Sequence, residues 1–438
     1  MSRSIEKAVA ERIEETSGEL VELTRALVDR RTVPGEEKRG QRVVIEELEA
    51  LGLEPDVWEP DVSELRDHPG YFDTKSYQEQ GYDDRPNVAA VVEGSGDGRS
   101  LGIAGHIDVV SVDDTKWSYE PWAATVEGNR LYGRGSCDMK GGLAAGIHAV
   151  KALDDLGVEL AGDLVLESTI DEESGGTGGA LSALERGYRP DAAIITEPSQ
   201  VPNVGIASAG VLYFRLTVDG RSAHAARAFA GVNAAWKATR LFEALQELER
   251  ERQARISYQP AVNQHPDAEG TVTNLNVGIV ESGDWPSTVP SSATLECRMG
   301  WPPGESREEV RGQIEDAIAG VVENDEWLAE NPPEIEWFGW SAEPHEVDRG
   351  AEITQTVREN VEAVTGAEGD WIGGLAGLDE RFYVNYYDIP CPTVGPRGDN
   401  IHGADEYVEI DSLVETAQAV ALTAIDWCGI EQSGRNVA

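Results

Sequence analysis

Four short, mostly apolar runs, VAAVV (88–92), LGIAG (101–105), LVLEST (164–169) and AAIIT (192–196), alternate with stretches of helical periodicity. Residues 40–50 and 141–156 have that periodicity, and in the second Leu143, Ile147, Val150 and Leu153 recur on one face. A strand that is apolar along its whole length has both faces covered, and the interleaved helices supply the cover. The pattern predicts an α/β fold built on a mostly parallel sheet with helices on both faces. Sheets of this kind bind ligands beyond the carboxyl ends of their strands. Several polar segments begin where an apolar run stops: GHIDVV (105–110), DEESGG (171–176) and TEPS (196–199).

The texture changes near residue 207. VLYFRLTVDG (211–220) alternates, with Phe214, Leu216 and Val218 on one face and Arg215 and Thr217 on the other, and SATLECRMG (292–300) does the same. Strict alternation marks an antiparallel sheet with one wet face. Two long helical stretches, 231–251 and 306–323, accompany these strands. Residues 207–340 therefore read as an inserted α+β domain, with 1–206 and 341–438 forming the domain that it interrupts. A helix near 350–364, a strand ending at TVG (393–395) and a last helix at 411–427 complete the outer domain.

The formal net charge is −45, from 81 acidic and 36 basic residues, of which only seven are Lys. Carboxylates spread over the whole chain with so little Lys point to life in concentrated salt, where screening suppresses self-repulsion. The same charge argues against nucleic acid or an anionic membrane as partner, since both are polyanions. The first residues, MSRSIEKAVAERIEE, lack the apolar stretch of a signal peptide, and no apolar run approaches the roughly 18 residues of a membrane span. The four Cys (137, 297, 391 and 428) are far apart, without a C-x-x-C pair. That spacing reads as reduced and cytoplasmic.

Five segments carry chemistry-bearing side chains: GHIDVV, GRGSCDMKGG (133–142), DEESGG, TEPS and IHGADE (401–406). Each has an ordinary reading of its own. His106 could be a hydrogen-bonded histidine at a strand end, and Asp138 could cap the helix that follows it. Asp171, Glu172 and Glu173 could be a solvated acidic turn. Yet three adjacent carboxylates after a buried strand repel one another unless a cation sits nearby. Glu197, after an apolar run and before Pro198, is likewise costly at a core edge. His/carboxylate sets of this sort suit several divalent ions.

In their order and neighbours these segments resemble the metallopeptidase and deacylase family of acetylornithine deacetylase, succinyl-diaminopimelate desuccinylase, aminoacylases and glutamate carboxypeptidases. The resemblance spans nearly the whole chain, with the inserted domain in the expected place. It implies a pair of divalent ions, Zn2+ or else Co2+ or Mn2+. His106 and Glu197 would hold one ion, Glu173 and His402 the other, and Asp138 would bridge both. Glu172 would be the general base and acid, and Asp108 would orient His106. The inserted domain would be a lid that also forms a homodimer. Its GRSAHAARAFAG segment (220–231) would bring His224 to the scissile carbonyl, often that of the partner subunit. Arg298, in LECRMG, would grip a substrate carboxylate.

Two segments depart from the family pattern. Ser287-Thr288-Val289-Pro290 stands where the family often has Asn before Val-Ile-Pro. In GGLAGLDERF (373–382), Leu375 occupies a hydroxyl position and Asp379 comes late. Both segments would touch substrate rather than metal. The expected activity is hydrolysis of a small N-acyl amino acid. A dipeptidase or carboxypeptidase with the same centre is the alternative, and a silent ligand-binding relative is the reading from another class. GSGDGR (94–99) is expected to be a hairpin turn, and His148 a satisfied histidine at a core edge.

Overall fold

The LGIAG and LVLEST runs become the strands Leu101–His106 and Leu164–Thr169, in which every residue is buried. They lie side by side and parallel, and Ala192–Ile195 runs parallel on the far side of Leu101–His106. Asn87–Val92 and Asp56–Trp58 extend the sheet antiparallel, so the five-stranded sheet is mixed rather than mostly parallel. The strand Leu164–Thr169 lies between Asn87–Val92 and Leu101–His106. Residues 94–99 are consequently a crossover and not the expected hairpin turn. Their main chain bonds instead to Leu160, Ala161 and Asp163.

This computed structural model describes residues 2–112 and 116–430. It divides into two units, Met1–Ala207 with Glu346–Ile372 and Leu378–Ala438, and Ser208–His345 with Gly373–Gly377. In the first unit, alternate residues of Ala192–Ile195 feed two cores. Ala192 and Ile194 join the core of the helices Gly141–Asp155 and Ile410–Cys428. Ala193 and Ile195 join that of Ala180–Arg186 and Glu380–Tyr387. Both sheet faces are thus covered. The helix Gly141–Asp155 is buried on every side through Val150. Its Gly and Ala residues allow this close packing. A Cβ on Gly142 would lie 1.8 Å from the Thr196 carbonyl oxygen, so only glycine lets the helix approach the strand end that leads to Glu197.

In the second unit, Gly210–Asp219, Asn274–Ser282, Ser292–Trp301 and Glu334–Ala342 form an antiparallel sheet with Asn274–Ser282 at one edge. Leu212, Phe214, Leu216 and Val218 pack against the helices Ala234–Arg255 and Arg307–Glu323. Each helix starts one residue after a capping side chain. Asn233 Oδ1 accepts the Ala235 N–H, and Ser306 forms a reciprocal capping box with Glu309.

Candidate metal centre

Sheet register brings the polar segments to one edge. His106 pairs with Thr169 and Ala104 with Ile195. Asp108, Glu172, Glu173 and Glu197 therefore leave the sheet within a few residues of one another. Asp138 arrives from the segment before the helix Gly141–Asp155, and His402 from the loop before the strand Tyr407–Glu409. His106, Glu172 and Glu197 offer ligand atoms all within 4.8 Å of one another, and so do Asp138, Glu173 and His402. Asp138 faces both histidines, with Oδ1 3.2 Å from His106 Nε2 and Oδ2 3.3 Å from His402 Nε2. Glu197 Oε1 is 3.1 Å from His106 Nε2, and Glu173 Oε2 is 2.9 Å from His402 Nε2.

These spacings fit metal ions. With bonds of about 2.0–2.1 Å, neighbouring ligand atoms of a tetrahedral zinc site lie roughly 3.3 Å apart. Glu172 lies farther from His106 than Glu197 does, its Oε2 3.9 Å from His106 Nε2. Its Oε1 is buried and has no hydrogen-bond partner.

The electrostatics show a site short of positive charge. Burial, with Asp138 adding to it, pushes the Glu197 carboxyl up to about 8. Burial also raises Glu172 and Glu173, and Glu172 is raised further by Asp379, Glu197 and Glu173. Asp138 goes the other way. Burial works to raise it, but hydrogen bonds from His106 and His402 hold it below the usual range. Bonds to Asp138 and Glu173 lift His402 to about 10. Burial opposes charge on His106, yet Glu197 and the other carboxylates raise it well above its usual value. The carboxylates thus draw positive charge to the two imidazoles, a demand that divalent ions would meet more strongly.

Asp108 acts on its surroundings by a route that differs from the expected one. The ring Nδ1–H of His106 donates to the Asp108 carbonyl oxygen at 2.9 Å, while the Asp108 carboxylate is 3.6 Å away. A carbonyl only accepts, so Nδ1 carries the proton and the Nε2 lone pair faces the cluster when the ring is neutral. The carboxylate instead accepts the main-chain N–H of Glu172 at 3.3 Å and of Glu173 at 3.2 Å, fixing the acidic turn.

His224 and Arg298 belong to the second unit. His224 is exposed, and its Nδ1 accepts the Ala226 N–H at 3.1 Å. Its main chain bridges to Thr288, one of the departing residues. Arg298 Nη1 donates to Asn274 Oδ1 at 2.7 Å. Asp379 is buried against the acidic turn and lines a small cavity with His106, Glu172 and Glu197. A Cβ on Gly176 would lie 1.8 Å from its Oδ1. Arg381, which sequence reasoning missed, bonds to the carbonyl oxygens of Leu378 and Gly175. The charged triplet after the apolar GGLAGL was its one sequence signal.

A mixed α/β unit whose strand ends gather two His/carboxylate sets defines a hydrolase of the paired-metal type. The chain belongs to peptidase family M20/M25/M40, whose model matches residues 102–426. It is 30% identical over 374 residues to an N-formyl-4-amino-5-aminomethyl-2-methylpyrimidine deformylase of Halalkalibacterium halodurans, covering 80% of this chain and 85% of that one. It is 29% identical over 334 residues to an acetylornithine deacetylase of Salmonella arizonae, covering 74% and 80%. Its fold matches a dinuclear metal-binding peptidase of the M20 family from Bacillus subtilis, with a TM-score of 0.64, 17% identity and coverage of 94% of this chain and 99% of that one. The chain is thus a metal-dependent hydrolase acting on amides. Among the described residues no helix is long and apolar enough to cross a membrane.

Proposed function

We propose that this enzyme is a deacylase that hydrolyses the amide of a small N-acyl amino acid or N-acyl amine. The carrying observation is Glu172, a buried carboxylate with one oxygen unbonded, within one of two groups of possible ligand atoms. In this reading His106 and Glu197 would hold one ion, Glu173 and His402 the other, and Asp138 would serve both. Two divalent ions, Zn2+ first among the choices, would lower the pKa of a water and polarise the amide carbonyl. Glu172 would accept a proton from water as the water oxygen bonds to the carbonyl carbon, and return it to the nitrogen as the C–N bond breaks, giving a free amine and a carboxylic acid that then ionises.

His224 supplies a donor to the developing oxyanion, and Arg298 offers its fork to a substrate carboxylate. Residues 207–340 act as lid and as dimer contact. The edge strand Asn274–Ser282, with Ile279 48% and Val280 59% exposed, supports a second copy as the partner. Four free, buried cysteines support a reducing, cytoplasmic setting. The −45 charge supports salt adaptation, so the melting midpoint rises from low to molar KCl, as calorimetry would register.

The test is a panel of N-formyl, N-acetyl and N-succinyl substrates and dipeptides, assayed with zinc, cobalt or manganese in molar KCl. Cleavage of N-acyl substrates is the expected result. Cleavage of dipeptides alone would assign the peptidase reading instead.

A further inference from the structure

Asp138 and His402 come from segments far apart in sequence, and one ion pair is bonded to both. Arg134 donates from Nη1 to Glu406 Oε2 at 2.6 Å and from Nη2 to the His402 carbonyl oxygen at 3.0 Å. Glu406 in turn accepts the main-chain N–H of Gly135 at 3.0 Å, of Cys137 at 3.1 Å and of Asp138 at 3.2 Å. Both side chains are buried. The loop that they hold needs holding. Asn400, His402 and Asp405 have φ of 61°, 61° and 58°, a left-handed conformation that non-glycine residues keep only when surrounding contacts fix it. His106 and Glu197 need no such brace, because each sits at or just past the end of a hydrogen-bonded strand.

We propose that the Arg134–Glu406 pair is a positioning device for the ion held by Asp138, Glu173 and His402, and that it sets the affinity of that ion more than of its neighbour. The proposal rests on the two-ion reading given above. Removing the pair frees the His402 loop and one end of the Asp138 segment, while His106 and Glu197 keep their places. Outer partners of metal ligands typically carry about 10–100-fold in affinity.

The test is calorimetric titration of Co2+ into chelator-stripped full-length protein. Wild type should show two binding steps, and His402→Ala marks the step that belongs to this ion. In Glu406→Gln and Arg134→Lys that step should weaken by about 10–100-fold and the other by a smaller factor, since Asp138 is shared while His106 and Glu197 keep their places. Near-UV circular dichroism establishes that each variant is folded. Should Glu406→Gln fail to fold, Arg134→Lys carries the test, since a lysine can meet Glu406 but cannot fork to the His402 carbonyl. Wild-type affinities at both steps in a folded variant would overturn the proposal, and so would equal weakening of both. A wild type that binds a single ion overturns the two-ion reading first, before any variant is measured.

Discussion

Asp171 and Glu172 are adjacent in the chain and both are buried, but their surroundings are opposite. Asp171 Oδ1 accepts from Thr74 Oγ1 at 3.0 Å and from the Ser76 hydroxyl. Its Oδ2 accepts from the Tyr82 hydroxyl at 2.8 Å and the Gly178 N–H at 3.1 Å. Arg85 lies 3.9 Å away and is itself forked onto the buried Glu37. Burial raises Asp171, but Ser76, Arg85 and Tyr82 all pull it back. Burial raises Glu172 too, and there His106 opposes while three carboxylates add to the rise. A buried carboxylate whose lone pairs all find donors is part of the scaffold. One left short of donors among other carboxylates is built for a partner that the chain does not supply.

The difference can be broken from either side. Asp138→Ala removes the carboxylate shared by both histidines and should have the largest effect, with loss of bound metal in elemental analysis and a fall in turnover of at least about 10⁴-fold. Metal retained at the wild-type level would break the bridging assignment. Glu172→Gln comes next. It keeps the shape and the ligands, so metal content should hold while turnover falls about 10²–10⁴-fold. Near-normal turnover would place the proton transfer elsewhere.

The scaffold side should respond in the opposite sense. Arg85→Met strands Glu37, which has both its Arg85 bonds to one oxygen, and takes away the cation beside Asp171. Removing one partner of a buried pair costs about 3–5 kcal/mol. Denaturant midpoints should fall accordingly, while turnover per folded, metal-loaded molecule stays near wild type. A variant of unchanged stability with lost turnover would erase the distinction between the two regions.

This distinction was only half legible in the sequence. Strand ends marked His106, Glu172, Glu173 and Glu197 because apolar runs stop there, and resemblance supplied Asp138 and His402. Nothing local separates Asp171 from Glu172, since both are acids in one run. Of the donors that satisfy Asp171, only the Gly178 N–H is local; Thr74, Ser76 and Tyr82 come from far back in the chain, and only tertiary packing delivers them. Arg381 escaped for the same reason, its partner being Gly175 across the fold. The mixed sheet was hidden too, because a fully buried strand has the same composition whichever way it runs. The alternation of 211–220 was easier to read, as its period is a property of the strand alone.

The smallest effect sharpens the comparison through the basic groups. His106 sits among carboxylates and is raised, whereas His148 has a hydroxyl for its partner. Thr16 donates its own proton to the Arg12 carbonyl at 2.8 Å, so His148 Nε2 at 3.0 Å must be the donor to Thr16 Oγ1. That bond needs only the neutral ring, and burial lowers the His148 pKa to about 4. Between that value and the ordinary 6.5 the unfolded chain binds a proton that the folded chain refuses. Stability from this residue is therefore complete above the unfolded value and declines as pH falls through the window, by roughly 1.4 kcal/mol per pH unit at most. His148→Gln keeps a side-chain amide for Thr16 and has no proton to take up. Its unfolding free energy, measured by denaturant titration, should fall less steeply than that of wild type from pH 6.5 to pH 4. Parallel slopes would mean that His148 is charged in the fold, and the contrast between the two histidines would then rest on His106 alone.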